Sequence, residues 1–449
     1  MSQAAALARE LTSRGLITDP AWHRAVLAVP RERFVPQTVW MPSRDGSGWR
    51  EPLPKTHQRV GEAIDGDYAI VTQTDDGAPT GTDGRGWLAT SSISQPSLVL
   101  AMLQALDVCD SDRVLEIGTG TGWNTALLCQ RLTDANVTSI ELDREVAEAA
   151  RAVLETQGYK PTLVIGDGAA GAAEHAPFDR VLATVAAHEV PPAWVEQTRP
   201  GGVIVTPWCT WFSPGVLLRL VVAEDGSASG RFVGPAPFMM LRAQRSASPL
   251  GDWQDFVDED APGVEEGRTA TNPRWIAHRD DGWRLVVGHL VPGVDFASFE
   301  ASDNSGEASV YVYDRGTASG SWALGEYSPE ETTWETKVRG PRDLWAEIGR
   351  AWEAWQAAGR PGRERLGLSV TADGRQVLWA DTPATPFGRQ RRHLRCAGTP
   401  ACSYTGVPGG WCAGLVARHT STCGGVPAFR SWAGMRPAPA PRSGRGCSA

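Results

Sequence analysis

An α/β fold is predicted: a doubly wound, mostly parallel sheet followed by a smaller α+β unit. Three observations predict it. Between residues 98 and 210, apolar runs of strand length alternate with helical segments, and strand–helix–strand repetition builds a parallel sheet. The first of these strands runs into a glycine-rich turn and then a helix. Beyond residue 270 the pattern changes to shorter strand candidates around one amphipathic helix.

The chain's 449 residues suit two or three domains. Apolar residues make up 41% and charged residues 21%, which excludes wholesale disorder. No run of about 18 uncharged apolar residues occurs, so no membrane span is expected. Residues 1–16 alternate charged and apolar side chains and read as a surface helix, not a signal peptide; the expected location is cytoplasmic, and the expected state a monomer. Net charge is −9, yet nine arginines and no acid lie after residue 384, so the preceding body is more acidic still. An acidic body argues against nucleic acid as a partner.

Taken in order, residues 3–29 carry two short helices, interrupted at Gly15 and restarted at Asp19-Pro20, since proline sits well in a first helical turn. A polar stretch rich in Gly, Asp and Trp fills residues 40–90 and reads as a functional or disordered loop. The parallel strands are 113–117, 137–142, 162–165, 180–185 and 203–206. Helices occupy 124–132 and 144–157, the second stopped by Gly158. Strands 216–222 and 230–238 form a hairpin through Glu224-Asp225-Gly226, placed at the sheet edge. Residues 246–270, polar and acidic, read as a linker. The next unit has strand candidates at 283–290, 309–313, 322–327 and 333–338. Its helix, 343–358, aligns Trp345, Ile348, Trp352 and Trp355 on one stripe. A last hairpin joins 366–371 to 376–379 at Asp373-Gly374. Nine tryptophans between 253 and 379 are read mainly as core, with a peptide-binding surface as the alternative. After Pro383 the composition switches to Arg, Pro, Gly, Ala and Cys. Cys396, Cys402, Cys412, His419 and Cys423 there have no standard zinc spacing, so no metal is expected.

The sharpest chemical signal is Val114-Leu115-Glu116-Ile117-Gly118-Thr119-Gly120-Thr121-Gly122-Trp123. Glycines let a ligand approach the backbone, and amides at a helix start receive polar groups. The spacing G-x-G-x-G departs from the dinucleotide G-x-G-x-x-G, and Glu116 suits a cationic ligand better than a pyrophosphate. Glu141 ends the second strand, where a carboxylate accepts both ribose hydroxyls. Asp167, in Gly166-Asp167-Gly168, closes the third and is placed to take an adenine amino group. Three acids at successive strand ends beside such a turn describe a nucleoside site without phosphates, that of S-adenosyl-L-methionine. Upstream, Ser94 lies in Ile93-Ser94-Gln95-Pro96 before a helix, where a helix cap is the plain alternative. His188, after the fourth strand, is a weaker candidate for substrate contact.

These elements, with Phe178-Asp179-Arg180, Pro200-Gly201-Gly202 and Pro30-Arg31-Glu32-Arg33-Phe34-Val35-Pro36, resemble the protein-L-isoaspartyl (D-aspartyl) O-methyltransferases over residues 5–245. The resemblance implies a class I methyltransferase fold that methylates an aspartyl or isoaspartyl carboxylate in a peptide or protein, the ester then collapsing to a succinimide. It carries the active-site serine to Ser94 and the cofactor residues to Glu116, Gly118, Gly120, Glu141 and Asp167. The enlarged stretch 67–90 and the added C-terminal unit are similar to actinobacterial methyltransferases associated with ATP-grasp peptide maturation. The expected division is 1–97 (helices and substrate-side insertion), 98–245 (cofactor-binding core), 246–270 (linker), 271–383 (accessory unit) and 384–449 (disordered tail). A small-molecule carboxyl methyltransferase and a non-catalytic peptide-binding scaffold are the rival readings.

Overall fold

The computed structural model of the protein describes residues 3–245, 253–317 and 319–387. The tail expectation for 388–449, its cysteines included, and that for 246–252 lie outside the described residues.

Helices α1 (Gln3–Ser13) and α2 (Pro20–Ala28) form as the sequence predicts, with the Asp19 carboxylate accepting from the Ala21 N–H at the start of α2. The polar stretch that follows is not a loop. It folds into β1 (Thr38–Pro42), β2 (Arg50–Pro54), helix α3 (Gln58–Asp65), β3 (Ile70–Thr74) and β4 (Ala89–Ile93). These strands form a separate antiparallel sheet, ordered β2-β1-β3-β4. They are short and mostly half-buried, so period-two alternation is weak and the polar turn residues dominate the reading. Asp75 anchors the β3–β4 connection by accepting the Trp87 and Leu88 N–H groups.

The core then runs α4 (Pro96–Leu106), β5 (Val114–Ile117), α5 (Trp123–Arg131), β6 (Val137–Glu141), α6 (Arg144–Thr156), β7 (Thr162–Ile165), β8 (Phe178–Ala183), α7 (Pro192–Glu196) and β9 (Thr198–Trp208). Strands β9-β8-β5-β6-β7 are mutually parallel. The chain leaves β5 toward β6 on one side and returns to β8 on the other. Ligands bind at that reversal, beyond the strands' carboxyl ends.

The hairpin β10 (Val216–Val222) and β11 (Ala228–Pro235) forms as predicted but is not the edge. After β12 (Glu265–Thr269), α8 (Pro273–Ile276), α9 (Asp281–Leu290), β13 (Val294–Glu300), β14 (Ala308–Asp314), β15 (Trp322–Tyr327), β16 (Trp334–Arg339) and α10 (Leu344–Ala357), the hairpin β17 (Leu366–Val370) and β18 (Gln376–Ala380) returns to the main sheet. Strand β17 pairs with β11 from Ala228↔Val370 to Arg231↔Gly367. The order is β18-β17-β11-β10-β9-β8-β5-β6-β7, while β12-β16-β15-β14-β13 make a second sheet.

Two further expectations are corrected. Residues 283–290 are helix α9, not a strand: Asp280 caps it by accepting from the Trp283 N–H. Most of its residues are buried, so its apolar run resembles that of a buried strand. Nor are residues 253–269 a bare linker, since β12 pairs along β16 and the Trp253 ring packs on Tyr311. Seven of the nine tryptophans counted above are buried, so these serve as core. One apolar cluster runs from Leu115 and Ile204 through Trp283 and Ile348 to Leu368, so the later chain is fused to the main sheet. No helix among the described residues is long and apolar enough to cross a membrane.

Candidate active site

The glycine turn exists because its backbone requires it. Gly118, Gly120 and Gly122 all have positive φ (93°, 55° and 86°), the region disfavoured for side chains with a Cβ. A Cβ at Gly118 would lie 2.8 Å from Thr184 Oγ1, and one at Gly122 would lie 3.1 Å from Leu154. At Gly120 the closest atom would be the Ser92 carbonyl oxygen at 3.5 Å. The turn thus faces the strand that leads to Ser94.

Turn, strand ends and Ser94 line one cavity of about 820 Å³. Glu141 is half-buried at the end of β6, and its carboxylate accepts the Gly120 N–H at 3.0 Å and the Asp143 N–H at 3.1 Å. Asp167 is exposed at the end of β7, with Oδ1 accepting the Ala169 N–H at 2.9 Å. Gly118 and Gly120 line the same space.

Ser94 does not cap α4. The cap position is Gln95, and the orphan Ser97 N–H is taken by Asp67 from outside the helix at 2.8 Å. The Ser94 hydroxyl has no hydrogen-bond partner among the described residues, and Ser94 is one of the residues lining the cavity.

Glu116 departs from the expectation. It is fully buried behind the turn and outside the cavity lining. Its carboxylate accepts from Asn124 Nδ2 (2.6 Å), Thr125 Oγ1 (2.5 Å) and Ser139 Oγ (2.6 Å). Burial pushes its pKa up to about 7. It ties α5 and β6 to β5 and braces the turn; it is not placed to touch a ligand.

Other wall residues carried no sequence signal. Gln73, on β3, donates to Asp143 at 2.9 Å. Arg242 and Arg245 reach Asp76 at 2.9 and 2.8 Å, fastening the 67–90 insertion across the cavity. From the later chain come Gly288, His289, Pro292, Gly293 and Thr317. His188 also lines the cavity, burial lowers its pKa, and its N–H donates to Gln244.

The donor and acceptor set fits S-adenosyl-L-methionine. Positive-φ glycines expose backbone, Glu141 keeps lone pairs for two hydroxyls, and Asp167 stands at the next strand end. Among the described lining residues, the arginines Arg242 and Arg245 are paired with Asp76.

Residues 79–241 match the family described as Protein-L-isoaspartate(D-aspartate) O-methyltransferase. A "Protein-L-isoaspartate O-methyltransferase 1" from Anaeromyxobacter sp. (strain Fw109-5) is 40% identical over 244 residues, covering 54% of this chain and 96% of that protein. The protein of Opitutus terrae named "Protein-L-isoaspartate O-methyltransferase" is 37% identical over 237 residues, covering 53% and 84%. Among solved structures, a protein-L-isoaspartate O-methyltransferase aligns with a TM-score of 0.48 at 20% identity, covering 84% of this chain and 100% of that one.

Proposed function

The chain belongs to the protein-L-isoaspartate(D-aspartate) O-methyltransferase family, and we propose that it methylates an aspartyl or isoaspartyl carboxylate in a peptide or protein. The observation that carries this is that Ser94, whose hydroxyl caps no helix, lines one cavity together with the glycine turn and the strand-end acids. Glu141, Asp167 and the Gly118–Gly120 backbone would hold S-adenosyl-L-methionine, which when bound supplies an electrophilic sulfonium methyl.

The chain has little acid–base work to do. A carboxylate with a pKa near 4 is already ionised at pH 7, so it attacks without a general base. What is required is alignment, and fixing two reactants in a productive pose supplies up to roughly 7–11 kcal/mol. Ser94 can donate its hydroxyl proton to the carboxylate oxygen that does not attack, fixing the other toward the methyl. Leu88, Met239 and Trp208 supply apolar wall to the same cavity. The ester then collapses: the following backbone amide nitrogen bonds to the ester carbonyl carbon, methanol leaves with the amide proton, and a succinimide remains.

A dedicated peptide is the substrate this reading favours over damaged proteins at large. Gly288, His289, Pro292, Gly293, Gly316 and Thr317 border the cavity, which supports a role for the later chain in holding a peptide there. Contacts distant from the reacting atoms can position the carboxylate. The test mixes full-length protein and cofactor with an isoaspartyl peptide, the aspartyl peptide, a small dicarboxylic acid or nothing, and follows S-adenosylhomocysteine. Release with a peptide alone supports the proposal. Release with the small acid favours the small-molecule reading, and none at all favours a scaffold.

A further inference from the structure

Arg31 is 2% exposed, and no carboxylate contacts it among the described residues. Its fork is spent on four carbonyls instead. Nη1 donates to Ala63 O (3.0 Å), and Nη2 to Tyr68 O (2.5 Å), Ile93 O (3.3 Å) and Ser94 O (3.1 Å). The guanidinium also sits 5.4 Å from the Trp123 ring centre, at the end of the glycine turn, and Trp123 Nε1 donates back to Val29 O. Burial lowers the Arg31 pKa to about 10, with Asp67 acting in the opposite direction.

Burying a cation without a contacting counter-ion is costly, and an apolar side chain of similar volume would commonly serve stability as well. What an apolar side chain could not do is fix four carbonyls in one plane-defined pattern. Two of them belong to consecutive residues, Ile93 and Ser94, and a third to Tyr68, where β3 begins its approach to β4. The contacts therefore set the backbone direction at the point where β4 ends and Ser94 joins the cavity wall. Asp67 works from the other side, holding the Ser97 N–H and pairing with Arg14.

We propose that Arg31 is a positioning residue for methyl transfer, acting through Ser94. The inference rests on the function proposed above. Arg31 itself touches neither substrate nor cofactor.

A double-mutant cycle tests this, with Arg31→Lys, Ser94→Ala and the double variant assayed on an isoaspartyl peptide. Lysine keeps the charge and loses the fork. Arg31→Lys should lower kcat by about tenfold or more, with S-adenosylhomocysteine affinity within about twofold. In the Ser94→Ala background the same change should cost less than about twofold. Leu11→Ala, buried in α1 far from the site, controls for stability alone. Effects that multiply in the double variant overturn the proposal, as does an Arg31→Lys enzyme that merely melts early, like Leu11→Ala, with normal kcat. If Arg31→Lys does not fold, Arg31→Gln takes its place; failure of both to fold makes the arginine a framework element and also overturns it. If the native chain methylates no peptide, the proposed function fails separately. The same four proteins are then compared by isoaspartyl-peptide binding with S-adenosylhomocysteine present, where additive losses refute positioning.

Discussion

Removing the Glu141 carboxylate should damage cofactor binding in a way the structure makes quantitative. The carboxylate spends one oxygen on the Gly120 N–H and the other on the Asp143 N–H. Two carboxylate oxygens offer about four lone-pair positions, so two remain for ribose hydroxyls. Hydrogen bonds to a charged group contribute about 1.5–3 kcal/mol, hence Glu141→Ala should weaken binding about 10- to 150-fold. Glu141→Gln should fall between wild type and alanine, because its single oxygen can serve only part of this set and its amide would oppose a backbone N–H. The assay is titration calorimetry with S-adenosylhomocysteine, beside a thermal melt that confirms an intact fold. Affinity within twofold of wild type in a folded Glu141→Ala protein would refute the assignment of the ribose site.

Three other outcomes follow from particular contacts. Ser94→Ala should lower kcat on an isoaspartyl peptide while leaving cofactor affinity unchanged, since the hydroxyl caps no helix; equal losses in both would remove it from the substrate side. Glu116 has its pKa raised from 4.5 to about 7 by burial, so its contribution to stability is full below pH 4.5 and is lost as pH rises through 7. Glu116→Gln should therefore gain on wild type across that window, by about 3 kcal/mol at most, in urea melts at several pH values; a variant that loses ground with rising pH contradicts this. A Cβ at Gly367 would lie 2.2 Å from the Trp379 ring and 2.4 Å from Gly230 O. Gly367→Ala should thus destabilise by about 1–3 kcal/mol, and the shared core should make the whole described chain melt in one transition. Two independent transitions would show that the later unit is not fused to the sheet.

That fusion was invisible in the sequence, while the parallel core was plain. Strands β5 to β9 announce themselves as apolar runs, the first three of them separated by helices α5 and α6 with clear turn and stop signals. The hairpin β17–β18 announces itself too, through Asp373-Gly374, yet nothing local says which strand it joins; pairing with β11 bridges well over a hundred residues. For the same reason, deleting the later unit would strip β11 of its neighbour and expose an unpaired edge. Point substitutions are the sounder probe. At the site, Gly118, Gly120, Glu141 and Asp167 could be placed from the sequence because a strand-end acid or a glycine before a helix has a fixed address in this topology, whereas Ser94 came from the family resemblance alone. Glu116 shared that address but points into the core, where three donors and burial hold it. Gln73, Arg242 and Arg245 could not be read at all, since their roles depend on a hairpin that looked like a loop.

The most direct measurement is mass spectrometry of an isoaspartyl peptide incubated with the full-length protein and S-adenosyl-L-methionine. The expected product carries one methyl on the isoaspartyl carboxylate, lost in mild base as the peptide converts to its succinimide, with S-adenosylhomocysteine formed in equal amount. A methyl that survives base, or one found only on small acids while every peptide stays unmodified, would contradict carboxyl methylation of peptides.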